Sequence, residues 1–190
     1  MFALANVPYI DRRFAFEDWP KLKGSHPFIF GQSPVLEVDG KVLAESNTIN
    51  RFVANRYGFT GNSEWERAQV DSLADLHHTY FNRVRPFYGV ACKYWEGDQQ
   101  ALLHSNFLPE RDHFFGILTK FIEDNETKSG FLVGDSVMYA DLLLLSHVLI
   151  FRNWVPELTD GWPRIAEHTD KLKSMPKMAE YLANRPHSIQ

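Results

Sequence analysis

The sequence predicts a small α/β piece followed by an all-helical piece, and three observations carry that expectation. Apolar and polar residues alternate from Val35 to Val38, and Asp39-Gly40 supplies the residues of a two-residue hairpin turn. From residue 45 onward the apolar spacing changes from the period of a strand to that of a helix. The long-range consequence is a boundary near Thr60-Gly61-Asn62, which reads as a short linker between a first domain over residues 1–59 and an all-helical domain over 63–190.

Taken in order, residues 7–44 are strand-like and rich in turns. Tyr9 to Phe14 predicts a strand, Gly31 and Pro34 punctuate the entry to the next, and Val35 to Leu43 predicts a hairpin. Glu45-Ser46 then stands where a helix begins; Ile49, Phe52, Val53 and Tyr57 form its buried face and Gly58 its left-handed stop. Ser63 with Glu66 makes a capping box for a long helix through Ala68 to Phe87, ended or kinked near Pro86. Phe114, Ile117, Leu118, Phe121 and Ile122 share one face of a second helix, broken by Asn125 and Gly130. Ala140 to Phe151 is apolar nearly all round, so it predicts a helix at the centre of its domain, and shorter helices fit Pro163 to Lys173 and Pro176 to Asn184.

Composition narrows the class. With 44% hydrophobic and 14% aromatic residues in 190, the chain has enough apolar material for a packed core. A net charge of −4 and a pI of about 6.0 supply no basic field for a phosphate backbone, which argues against nucleic acid as a partner. Cys92 is the single cysteine, so neither a disulfide framework nor a Cys-rich metal site is available, and a reducing, cytoplasmic compartment is expected. The apolar run from Ala140 to Phe151 is interrupted by Asp141, Ser146 and His147 and is shorter than the roughly 20 residues that span a bilayer, so no membrane association is expected.

One segment carries chemistry. Between Gly31 and Ile49 a proline-fixed strand edge stands beside a helix start. The first N–H groups of that helix and the positive end of its dipole attract a carboxylate, while the strand edge offers main-chain hydrogen bonds, a pairing suited to an anionic peptide.

The chain resembles the cytosolic glutathione transferases, most closely their sigma-like class. The residues that carry the resemblance are Glu17-Asp-Trp-Pro-Lys-Leu-Lys23, Phe30-Gly-Gln-Ser-Pro-Val-Leu-Glu-Val-Asp-Gly40, Glu45-Ser-Asn-Thr-Ile49, Ala68-Gln-Val-Asp71 and Val133 through Asp141. The resemblance implies a thioredoxin-like first domain that holds glutathione as co-substrate, a helical second domain, a homodimer, and conjugation of the glutathione thiolate to hydrophobic electrophiles, as in detoxification. It assigns Trp19 and Lys23 to the glycine carboxylate of glutathione and Ser33, before a cis Pro34, to the cysteinyl backbone. Ser46 falls to the γ-glutamyl carboxylate, Glu45 to its ammonium, and Gln32 lines the tripeptide. The second substrate is expected near Tyr80, Arg83, Phe87 and Tyr88, and Asp75 stands where family members reach the partner subunit's ligand.

Departures from the family pattern also matter. The thiol-activating tyrosine at the end of the family's first strand has no counterpart among these residues; that strand, its loop and most of a helix are expected before Met1, leaving no catalytic residue to assign and a first domain without its central strand. Met138 stands where a Ser or Thr N-cap is usual, so that cap should be weaker by about 1 kcal/mol unless Asp141 or Ser136 compensates. His78 and Thr79 replace carboxylates of a divalent-cation cluster, and no metal is expected. Adjacent His77 and His78 point about 100° apart on a helix and read as helix surface, and Cys92 as a structural thiol. Two other functions fit the same residues: a catalytically silent protein that binds ligands or associates with subunits, and a glutathione-dependent prostaglandin isomerase.

Overall fold

A computed structural model describes residues 1–186. The chain divides into two compact units, Met1–Phe59 and Thr60–Gln190.

In the first unit, α1 (Phe2–Ala5) ends on Asn6 in the left-handed region, and Phe2 stacks on Tyr9 and meets Tyr57 edge-on. Residues 7–15 then run without regular structure. The expected strand over Tyr9 to Phe14 does not form: among the described residues the one ladder joins β1 (Val35–Val38) to β2 (Lys41–Ala44), this segment pairs with neither, and Ile10 is 79% exposed. A strand gains its stability from cross-strand pairs, and a favourable composition alone does not make one.

After a 3₁₀ turn at Phe16–Asp18, α2 (Trp19–Leu22) is a single helical turn. The hairpin matches expectation closely. Its antiparallel register pairs Val35 with Ala44 and Val38 with Lys41, leaving Asp39 and Gly40 as the turn. Both have positive φ, 50° and 73°, the turn whose twist matches that of the flanking strands and which favours Asp-Gly. Helix α3 (Ser46–Tyr57) ends on Gly58 at φ 80°, whose N–H bonds the Ala54 carbonyl. Its buried face is centred on Val53 and Ala54, whereas Phe52, expected inside, is 40% exposed. The apolar stripe is therefore turned toward Ala54 relative to the periodicity.

The second unit opens with α4 (Glu64–Ala91), where Ser63 Oγ accepts from the Glu66 N–H at 3.1 Å. Glu66 returns its carboxylate to the N–H of Asn62, one residue earlier than a capping box requires. Of the two expectations at Pro86, an end or a kink, the helix does not end there: α4 continues through it to Ala91. A proline inside a helix costs about 3 kcal/mol, but Val84, Phe87, Gly89 and Ala91 are buried around it. Asn106 also donates to the Arg83 carbonyl at 3.0 Å. Burial of a large apolar side chain is worth roughly 1.5–3 kcal/mol, so the packing on either side of Pro86 outweighs the break.

Helix α5 (Gln99–Leu102), a π-turn at Leu103–Phe107 and α6 (Leu108–Asp124) follow, then α7 (Tyr139–Phe151), α8 (Pro163–Ser174) and α9 (Pro176–Asn184). As its all-round apolar pattern predicts, α7 is central, with Leu144, Leu145, Val148 and Phe151 buried against neighbours that include Phe87, Phe107, Phe114 and Phe115. Asp71 on α4 receives the Tyr139 hydroxyl at 2.5 Å, tying α4 to α7. No helix among the described residues is long and apolar enough to cross a membrane.

The start of α7 resolves the Met138 question. A thioether is a poor acceptor, but Asp141 Oδ2 accepts from the Met138 N–H at 2.7 Å, so the carboxylate half of the cap is formed. Its other oxygen, Oδ1, accepts from the Leu132 N–H at 2.9 Å and from His168 Nε2 at 2.7 Å, with both side chains wholly inside.

Candidate functional site

The residues expected to hold glutathione lie in three places within the first unit, and two features of the backbone connect them. The first is the hairpin register. The last pair of the ladder is Val35 with Ala44, so Ser33-Pro34 leads directly into one strand and Glu45-Ser46 follows directly from the other. The loop before β1 and the start of α3 therefore meet at the same end of the hairpin. The Ser33–Pro34 peptide is cis, as the resemblance implies. The second is the turn at Gly31. Its positive φ of 62° turns the chain into Gln32, and the stem of Lys23 lies 3.7 Å from where a side chain at residue 31 would begin. Lys23 is thereby laid beside the Gly31-Gln32-Ser33 loop.

Trp19 and Lys23 sit one turn apart, Lys23 N–H bonding the Trp19 carbonyl at 2.8 Å, although Lys23 is the residue that ends α2. The Trp19 ring is half-buried between Phe14, stacked at 5.5 Å, and Phe28, edge-on at 5.1 Å. These contacts fix the indole by packing. Gln32, Ser33, Glu45 and Ser46 are all exposed.

Helix α3 begins at Glu45-Ser46, where the sequence places a helix start. Glu45 occupies the N-cap position, with φ 72° and ψ 115°, and Ser46 is the first helical residue. Glu45 is thus held in a backbone conformation that non-glycine residues seldom adopt, a departure that clusters at binding sites. Among the described residues no side chain caps α3. The first-turn N–H groups of a 12-residue helix are left for solvent or for an incoming carboxylate, which the dipole favours by roughly 0.3–1 kcal/mol.

Of the expected second-substrate residues, Tyr80 and Arg83 line one small cavity of about 60 Å³, while Phe87 and Tyr88 are not part of its lining. Tyr80 and Phe87 are 3% and 0% exposed. Tyr80 stacks on Phe114 at 4.3 Å and bonds His147 Nε2 at 3.2 Å, its hydroxyl held protonated by burial, while Phe87 packs on Phe107. Arg83 faces out and pairs with Glu110 at 3.3 Å, and Tyr88 is partly covered by Phe151 and Trp154. Tyr80 and Phe87 thus belong to the interior of the helical unit, whereas Arg83 and Tyr88 reach its surface.

His77 is also not surface. Its ring meets Phe81, Phe114 and His147, and its Nε2 is buried without a hydrogen-bond partner among the described residues. Burial, then the neighbouring His78, lowers its pKa to about 4. Burial lowers that of His147 well below the usual range, with His77 adding to the effect. Among the described residues no group of three or more His, Cys, Asp or Glu side chains is placed to hold a metal ion.

Comparison with known proteins supports the same reading from both units. Residues 3–55 match the glutathione S-transferase N-terminal domain and residues 86–185 the glutathione S-transferase C-terminal domain. A Caenorhabditis elegans protein described as probable glutathione S-transferase 7 is 39% identical over 98% of this chain and 88% of its own length. A monomeric glutathione S-transferase of the hookworm Necator americanus, Na-GST-3, superposes with a TM-score of 0.91 at 44% identity, over 98% of this chain and 89% of its own. A Nu-class enzyme from Haemonchus contortus does so with a TM-score of 0.86 at 43% identity, over 100% and 90%.

Proposed function

We propose that this chain, which belongs to the glutathione S-transferase family, binds glutathione along the Ser33–Pro34 edge and the uncapped start of α3, and transfers its thiolate to hydrophobic electrophiles. The observation that supports the binding half is the register of β1 on β2, whose last pair, Val35 with Ala44, brings the loop before β1 and the start of α3 to one end of the hairpin. Ser46 and the α3 N–H groups take the γ-glutamyl carboxylate, Glu45 its ammonium, the Ser33 backbone the cysteinyl unit, Trp19 and Lys23 the glycine carboxylate, and Gln32 lines the tripeptide.

Chemistry needs the thiol as thiolate, the form that attacks an electrophile. That role is assigned to none of residues 1–190, so these residues bind and orient. The reading extends to a cytoplasmic homodimer of the sigma-like class. Its class rests on the order and spacing of the motifs, and its assembly is measured by light scattering.

Glutathione affinity tests the site. Ser46→Ala removes one hydroxyl directed at a carboxylate, a bond worth about 1.5–3 kcal/mol, so equilibrium dialysis of the full chain should show binding weakened tenfold or more. Equal affinities for the two chains, or no glutathione binding by the unaltered one, would refute this assignment.

A further inference from the structure

We infer that the second unit carries a site for a small organic cation with an apolar body, an arylalkyl ammonium, in the cleft between the start of α4, the second half of α6 and the loop before α7, with Trp65 as its aromatic wall. The site uses none of the residues assigned to glutathione, so it stands or falls apart from the transfer reading.

Hydrogen bonds frame the cleft. In the loop, the side chains of Asn125, Thr127 and Ser129 all donate to the Gly134 carbonyl, at 2.8, 2.7 and 2.7 Å. Gly134 itself turns at φ 64°, and a side chain there would begin 3.2 Å from Glu66 Oε1 on α4. Glycine at this position lets the loop close against the first turn of α4, where Glu66 also accepts from the Asn62 N–H at 2.6 Å. Between these walls lies a cleft of about 680 Å³, within the roughly 300–1,000 Å³ of small-molecule sites.

The lining has an apolar part and a charged part. Leu132 and Val133 are buried, while Ile117 and Phe121, one turn apart on the same face of α6, are half-buried. Trp65 completes the apolar part. It is 73% exposed, and no ring or cation stacks on it among the described residues. An indole left this far in water cannot have both faces covered, and its surface adjoins that of Ile117 and Phe121 in one cleft, which the apolar body of a ligand can cover.

Charge selects that ligand. Glu66, Asp124 and Glu126 bring three carboxylates to the lining, against the one ammonium of Lys120. Among the described residues Asp124 and Glu126 make no ion pair or side-chain hydrogen bond, and Lys120 pairs with neither. An anion would be repelled by these two carboxylates, whereas a cation gains from them and from the electron-rich face of the indole.

The probe is 3-phenylpropylammonium, titrated calorimetrically into the full chain at low salt without glutathione, beside the neutral 3-phenylpropan-1-ol. Saturable binding of the ammonium is expected, with the alcohol at least about fivefold weaker. Trp65→Leu should weaken the ammonium about fivefold, and Trp65→Phe, which keeps a π face, should weaken it less. An Asp124→Asn, Glu126→Gln double variant should also weaken it about fivefold and leave the alcohol unchanged. All three positions are exposed, so these changes leave the fold intact. No saturable binding by the unaltered chain, an unchanged Kd in Trp65→Leu, or equal affinity for the alcohol overturns the proposal. So does light scattering that shows the unaltered chain associating through Trp65, and the Trp65→Leu chain not, with no ammonium bound.

Discussion

Lowering the pH from about 7 to about 4 is expected to cost the helical unit roughly 3 kcal/mol through His77 alone, with a further loss through His147. Both imidazoles are buried among aromatic rings, where a charge would be poorly solvated. His77 Nε2 and His147 Nδ1 have no hydrogen-bond partner among the described residues, so nothing there rewards a proton. The sign follows from the direction of the shifts. In the unfolded chain each histidine takes up its proton near 6.5; in the folded chain His77 does so only near 4, and burial likewise holds His147 well below its ordinary value. Stability is therefore fully present above about 6.5 and falls as the pH drops toward 4.

Urea unfolding at a series of pH values measures it. Carboxylates contribute their own acid dependence, so the informative quantity is the difference from a His77→Phe, His147→Phe double variant. That variant should lose visibly less stability between pH 7 and pH 4. Parallel curves for the two chains would show that these histidines are not the groups taking up the protons.

Removing the Asp141 carboxylate has the second large expected effect. One side chain, with no exposure to solvent, accepts from the N–H groups of Leu132 and Met138 and from His168 Nε2. It joins the loop before α7, the first turn of α7, and α8. Asp141→Ala leaves three buried donors without an acceptor, and losing one partner of such a buried pair typically costs about 3–5 kcal/mol. That approaches the whole margin of an ordinary domain, about 5–15 kcal/mol. Denaturant unfolding should show the midpoint shifted far down, or a chain unfolded at room temperature. His168→Gln, which keeps a donor of similar reach, should lose clearly less. A loss below about 1 kcal/mol in Asp141→Ala would mean that the network contributes little to stability.

The same network shows how local and tertiary information divide. The weak N-cap at Met138 was legible in the sequence, and so was Asp141 as the compensating group, because a cap is decided within four residues. That His168 and Leu132 share the carboxylate was not legible, since the three come together only when α8 packs beside α7. The hairpin was legible for the same local reason: Asp39-Gly40 fixes the turn, and the turn fixes the register that pairs Val35 with Ala44.

The sequence by itself determined the order of a small α/β unit and a helical one, the hairpin, the helix starts, the central α7, and the family to which the chain belongs. These depend on period, turn chemistry and motif spacing, which are properties of neighbouring residues. Tertiary structure alone decided which faces are inside. Tyr80 and Phe87 became core, His77 was packed among aromatic rings, Phe52 stayed out, α4 ran on through Pro86, and Tyr9 to Phe14 formed no strand. Each depends on what an element packs against. Burial and strand pairing are long-range, and 3.6-residue periodicity says that a helix has an apolar face without saying whether that face meets a ligand or the rest of the protein.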